Sequence, residues 1–138
     1  MKKISFLATL LLLCHVASFA QCDKNFIINS SKTEYLGADS TVERTVEENT
    51  VIDLTRPDIT ITPGDHKMTA VITSETCNWK TPFIEGATIL KATFNDDGKE
   101  MHATITIEGK NGKLTLWVQS EEMPRIIRVA IDKFEQKN

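Results

Sequence analysis

One stretch of this chain constrains its fold more than any other. From Met101 to Glu108, apolar and polar residues alternate without a break: Met101, Ala103, Ile105 and Ile107 on one side, His102, Thr104, Thr106 and Glu108 on the other. Successive side chains of a β-strand point to opposite faces, so this pattern specifies a strand with one face buried. Lys110-Asn111-Gly112-Lys113 follows. Asn-Gly tolerates the positive φ angles that a two-residue hairpin turn demands. Beyond it, Leu114, Leu116 and Val118 alternate with Thr115, Trp117 and Gln119. The segment from Met101 to Gln119 therefore predicts a β-hairpin.

The same grammar recurs on both sides. Thr88 to Phe94 predicts a strand closed by the turn Asn95-Asp96-Asp97-Gly98. Arg125 to Asp132 alternates Ile127, Val129 and Ile131 against Arg128, Ala130 and Asp132, after a turn at Glu121-Glu122-Met123-Pro124. Upstream, 50–54, 58–62 and 67–73 are short β-branched runs separated by Arg56-Pro57-Asp58 and Pro63-Gly64-Asp65. Proline fixes φ and glycine permits the left-handed region, so both sequences punctuate the chain. Phe26 to Ser30 and Lys32 to Leu36 are weaker strands. Gly37-Ala38-Asp39-Ser40 turns the chain, and 41–46 returns from it. The stretch Cys77 to Gly86 has no alternation and reads as a strand end plus a longer loop.

Helical periodicity is absent. The pattern predicts an all-β domain: an antiparallel meander closing into a small β-barrel of about eight to ten strands, with a two-sheet β-sandwich as the alternative. The expected interior is Ile105, Ile107, Leu114, Leu116, Val118, Ile127, Val129 and Ile131.

The N-terminus carries a different message. Met1-Lys2-Lys3 is a positive start, Phe6 to Val16 is almost continuously apolar, and Ser18-Phe19-Ala20 offers small residues at the positions that signal peptidase reads. This is the pattern of a secretory signal peptide over residues 1–20, with cleavage between Ala20 and Gln21. A single β domain over residues 21–138 would follow, in the periplasm or secreted. No second apolar run reaches the roughly 18 residues that span a bilayer, so no transmembrane anchor is expected. Gln21 before Cys22 disfavours a lipid anchor at Cys22, because a lipobox has a small residue there. Cleavage would remove Cys14 and leave Cys22 and Cys77, which an oxidising compartment would join as a disulfide.

Charge and residue inventory exclude several function classes. Without Lys2 and Lys3, 14 basic residues oppose 19 acidic ones, a net charge of −5. An acidic domain without a basic run is unsuited to nucleic acid. Beyond the leader the only histidines are His66 and His102, neither beside a glycine-flanked serine or an available cysteine, so no nucleophile–base set is legible and no enzyme is expected. The acidic pairs Glu47-Glu48, Asp96-Asp97 and Glu121-Glu122 lie in turns or strand ends, where carboxylates are ordinary. No His or Cys pair has metal-ligand spacing, and no phosphate loop or dinucleotide fingerprint occurs, so neither metal nor cofactor is expected.

The aromatics are the remaining candidates. Trp79, Phe83 and Trp117 are read as possible ligand contacts, Trp117 because its strand phase turns it away from Leu114, Leu116 and Val118. Asp39-Ser40-Thr41 matches an O-glycosylation acceptor pattern, although a plain turn explains it better.

Trp79-Lys80-Thr81-Pro82-Phe83, Ala103-Thr104-Ile105-Thr106-Ile107-Glu108-Gly109 and Val129-Ala130-Ile131-Asp132-Lys133-Phe134, behind a leader ending Ser-Phe-Ala-Gln, resemble small exported proteins of Gram-negative bacteria with a lipocalin-like layout. Lipocalins proper have Gly-x-Trp near the first strand, where this chain has Asp23-Lys24-Asn25-Phe26, so the resemblance implies a layout and no binding residues. Two functions follow as expectations. One is a non-catalytic exported module binding a small apolar ligand in a barrel mouth. The other is an interaction protein, such as an inhibitor or an envelope accessory protein.

Overall fold

The computed structural model describes residues 24–122 and 124–137, and the side chain of Asp96 is outside the description. The expected leader, the expected cleavage point between Ala20 and Gln21, and Cys22 lie outside the described residues.

The described chain forms eleven strands and no helix: β1 (Asn25–Ser30), β2 (Thr33–Leu36), β3 (Val42–Val46), β4 (Thr50–Thr55), β5 (Asp58–Pro63), β6 (Met68–Thr81), β7 (Glu85–Asp96), β8 (Lys99–Lys110), β9 (Lys113–Ser120), β10 (Ile126–Ala130) and β11 (Lys133–Lys137). All belong to one antiparallel sheet, in the order β11-β1-β4-β5-β6-β7-β8-β9-β10-β2-β3. The two-sheet sandwich is therefore not the arrangement formed. Among the described residues there is no helix long and apolar enough to cross a membrane.

Several strands are segments of longer ones. Only Ser31 and Lys32 separate β1 from β2, and only Ile131 and Asp132 separate β10 from β11. Asn25 faces Lys137 in the β1–β11 ladder, and Leu36 faces Ile126 in the β2–β10 ladder. Eleven residues on along one strand correspond to eleven residues back along the other, so one register runs through both ladders. The bends coincide, and Asp132 N–H donates to the Asn29 carbonyl at 2.9 Å between them.

A single sheet can bury one face only by curving around it. The alternation that predicted the strands does this here. Ile28, Ile52, Leu54, Ile59, Leu90, Ile105, Ile107 and Leu116 are fully buried and come from six different strands. Of the expected interior, Ile105, Ile107, Leu116 and Val129 are buried. Leu114, Val118, Ile127 and Ile131 are half-buried. The upstream half of the core, including Phe26, Ile28, Ile52, Leu54, Ile59 and Ile61, was absent from that expectation.

Two further corrections concern strand extent. Residues 133–137 form β11, for which the sequence shows no alternation, and the strand count exceeds the expected eight to ten. The predicted loop from Cys77 to Gly86 is mostly strand, because β6 continues to Thr81 and β7 starts at Glu85. The β6–β7 register shifts between Ile72 and Ser74. Such a bulge sets two residues against one and reverses the inward phase. Ala70 and Ile72 therefore share a face with Glu75, Cys77 and Trp79, opposite Phe94, Ala92, Leu90, Thr88 and Gly86. A phase reversal of this kind erases alternation from the sequence while leaving the strand intact.

Candidate functional site

The two ends of the curved sheet are filled differently. At the end carrying the β6–β7 turn, four aromatic rings meet. Phe83, from the turn, stacks at 4.3 Å on Phe134 of β11 and lies 5.3 Å from Trp79 and 6.5 Å from Phe26. Phe26 and Phe134 are 5.1 Å apart. Such tilted and edge arrangements add attraction beyond area burial. Trp79 Nε1 donates to Thr88 Oγ1 at 2.8 Å, so the indole's polar atom is satisfied although the ring is enclosed. Two glycines make room. A Cβ on Gly109 would stand 2.8 Å from the Ile84 carbonyl and 2.9 Å from Trp79 Cζ3; one on Gly86 would stand 2.4 Å from the Asn78 carbonyl.

The opposite end carries the β5–β6, β7–β8 and β9–β10 turns and holds an apolar cavity of about 160 Å³. Ile61, Met68, Phe94, Met101, Val118 and Val129 supply much of its wall. Thr33 and Thr50 reach it from β2 and β4, and Tyr35 stands at its edge. Local sequence explains the lining. Inward positions on β8, β9 and β10 follow the alternation, and two unbranched, flexible methionines stand where deeper inward positions carry isoleucine and leucine.

These positions differ from those singled out in the sequence. Trp79 and Phe83 belong to the aromatic cluster at the far end. Trp117 lies on the outer face, half-buried beneath Arg128, whose guanidinium carbon is 5.4 Å from the ring centroid. Arg128 is also ion-paired with Glu34, Nε donating to Oε2 at 2.5 Å. None of the three predicted aromatics lines the cavity. The signal in the sequence that points to the cavity is the inward phase of Met101 beside Val118 and Val129, the last two being part of the expected interior.

Polar groups cluster at the rim. His102 Nδ1 contacts Glu122 Oε1 at 2.8 Å, and the Glu122 carboxylate also accepts the His102 backbone N–H at 3.0 Å and the Ser120 hydroxyl at 3.1 Å. The imidazole hydrogen bond, followed by these other donors, holds Glu122 down to about pKa 2 against the opposing effect of desolvation. The same carboxylate raises His102, with Glu100 and Glu121 adding to the effect. His102, Glu121 and Glu122 together offer three potential metal ligands within 4.8 Å of one another, all exposed. In the sequence His102 and the two glutamates stand apart as solvated groups; the fold brings them together. Glu122 already has its donors, so the cluster works as an ion-paired turn. His66 is exposed in the β5–β6 turn.

The remaining motifs resolve as local structure. Asp39 Oδ1 accepts both the N–H and the hydroxyl of Thr41, at 3.1 and 2.6 Å, around Ser40 at φ 65°. This is the turn expected of Asp39-Ser40-Thr41. Cys77 is half-buried on β6, with Sγ 3.5 Å from Thr88 Oγ1; its expected partner Cys22 is outside the described residues.

What the arrangement can do is enclose a small apolar group at one end of a structure whose other end is plugged. Compared with known proteins, the chain matches no family model and no curated protein.

Proposed function

We propose that this protein is an exported, non-catalytic binding module that takes a small apolar ligand, or the apolar part of one, into the open end of a β-barrel. The observation that carries the reading is the apolar 160 Å³ cavity opposite the aromatic plug. An apolar cavity of about 150 Å³ stays dry and admits benzene, so the volume fits a ring or a short alkyl chain.

Barrel closure is part of this proposal. With β1–β2, β3–β4 and β10–β11 each counted as one bent strand, the eleven segments reduce to eight, each paired with two neighbours. The common register of the β1–β11 and β2–β10 ladders supports that closure. A closed eight-stranded barrel has an interior suited to side chains or one small ligand.

Export rests on the Met1–Ala20 pattern, and it favours joining Cys22 to Cys77. Arg56 Nη1 donates to the Lys24 carbonyl at 2.5 Å while its Nε donates to Glu75 at 2.9 Å. Glu75 and Cys77 share one face of β6, and Cys22 precedes Lys24 by two residues. The arrangement brings the start of the described chain toward the Cys77 strand.

The test is direct titration with benzene-sized probes, read by NMR chemical-shift changes, on the wild type and Val118→Phe. Probe-dependent shifts at Met68, Met101 and Val129 are expected in the wild type and their loss in the variant. A wild type unperturbed by saturating probe would remove the reading.

A further inference from the structure

The rim of the cavity carries an asymmetric charge pattern. Tyr35 lines the cavity and is the cross-strand partner of Ile127 on β10 and of Arg44 on β3. The Arg44 guanidinium lies over the Tyr35 ring, its central carbon 4.3 Å from the centroid. Arg44 is exposed, and among the described residues no carboxylate is ion-paired with it. On the His102 side the charge is already taken, because that imidazole is held by Glu122. Among the described residues β3 pairs with β2 alone, so Arg44 stands where an apolar chamber meets water, on a strand whose other edge has no described partner. Stacking on tyrosine engages the guanidinium's flat face. Its N–H donors lie in the plane, as a fork that matches a carboxylate.

We propose that the cavity takes an amphipathic anion, with an apolar body of aryl or short-alkyl size inside and a carboxylate on Arg44 at the rim. This rests on the cavity reading above and names its ligand class. Met68 and Met101, unbranched and polarizable, let the wall adapt to different apolar bodies. An alcohol of the same body gains the burial but not the ion pair, and an alkylammonium meets a like charge.

The experiment compares hexanoate, 1-hexanol and hexylammonium by calorimetric titration of the full mature protein at neutral pH and low salt. Hexanoate should bind about two- to fivefold more tightly than hexanol, the scale of one exposed ion pair. Hexylammonium should be the weakest. Arg44→Gln should bring hexanoate down to the hexanol level without moving hexanol, Arg44→Lys should restore part of the difference, and added salt should weaken hexanoate alone. Hexanol equal to hexanoate in the wild type, or an unchanged ratio in Arg44→Gln, overturns the assignment to Arg44 while leaving the cavity reading intact. If none of the three binds, the cavity reading fails and this inference falls with it.

Discussion

Asp132 grips Ser31 twice: its Oδ2 accepts the Ser31 backbone N–H at 2.7 Å and the Ser31 hydroxyl at 2.6 Å. The residues are 101 positions apart and sit at the matching bends of the first and last long strands. Without the carboxylate, the Ser31 N–H would lose its partner at the point where two ladders change direction. Asp132→Ala should lower the melting temperature by about 3–5 °C, the shift that about 1 kcal/mol from two solvent-exposed hydrogen bonds gives in a domain of this size. A melt coincident with wild type would mean that the bend is held by backbone pairing alone.

Strand phase predicts a contrast on two paired strands. Ile105 of β8 is fully buried, whereas Ile89 of β7 is 40% exposed. Ile105→Ala should destabilise by about 2–5 kcal/mol through lost transfer energy and the cavity left behind. Ile89→Thr should stay within about 0.5 kcal/mol of wild type. Urea unfolding of both variants checks the phase, and equal losses would contradict it.

The aromatic end predicts a glycine effect. A methyl group on Gly109 meets the Ile84 carbonyl and the Trp79 ring at less than 3.0 Å, whereas one on Gly98 finds nothing within 4 Å. Gly109→Ala should destabilise by about 1–3 kcal/mol by overpacking and should change the tryptophan fluorescence. Gly98→Ala at φ +80° should affect stability through backbone strain alone and leave the fluorescence unaltered.

The His102–Glu122 pair predicts a pH window. Glu122 is depressed to about 2, so its contribution is present above its unfolded value near 4.5 and is lost as pH falls toward 2. His102 is raised, so its contribution is complete below its unfolded value near 6.5 and is lost as pH rises through the folded value. The pair therefore stabilises most between those two unfolded values. Thermal melts of wild type and His102→Gln should differ most near pH 5.5 and converge toward pH 2 and pH 9. A difference independent of pH would assign His102 a packing role instead.

If the chain is exported and Cys22 and Cys77 pair, the protein purified from that compartment should weigh two hydrogens less than its reduced form. Cys77→Ser should then lower stability by about 2–5 kcal/mol, the usual effect of losing such a link. Free thiols at both positions in the intact exported protein would disprove the pairing.

Wherever a strand keeps its phase, the sequence by itself determined the structure. The Met101–Gln119 hairpin, the turns at Asn111-Gly112 and Asp97-Gly98, and the burial of Ile105, Ile107, Leu116 and Val129 all follow from period-two alternation and residues that accept positive φ. Tertiary structure decided what alternation does not encode. The bulge after Ile72 reversed the phase of β6, so a continuous strand looked like a loop, and Trp79 and Phe83 became a plug. The β1–β11 pairing joined segments a hundred residues apart, and the inward residues of β5, β6, β8, β9 and β10 came together as a cavity wall. Local composition sets which way each side chain points. Which of those side chains meet, and where the space between them remains unfilled, depends on sheet curvature and register, which belong to the assembled sheet.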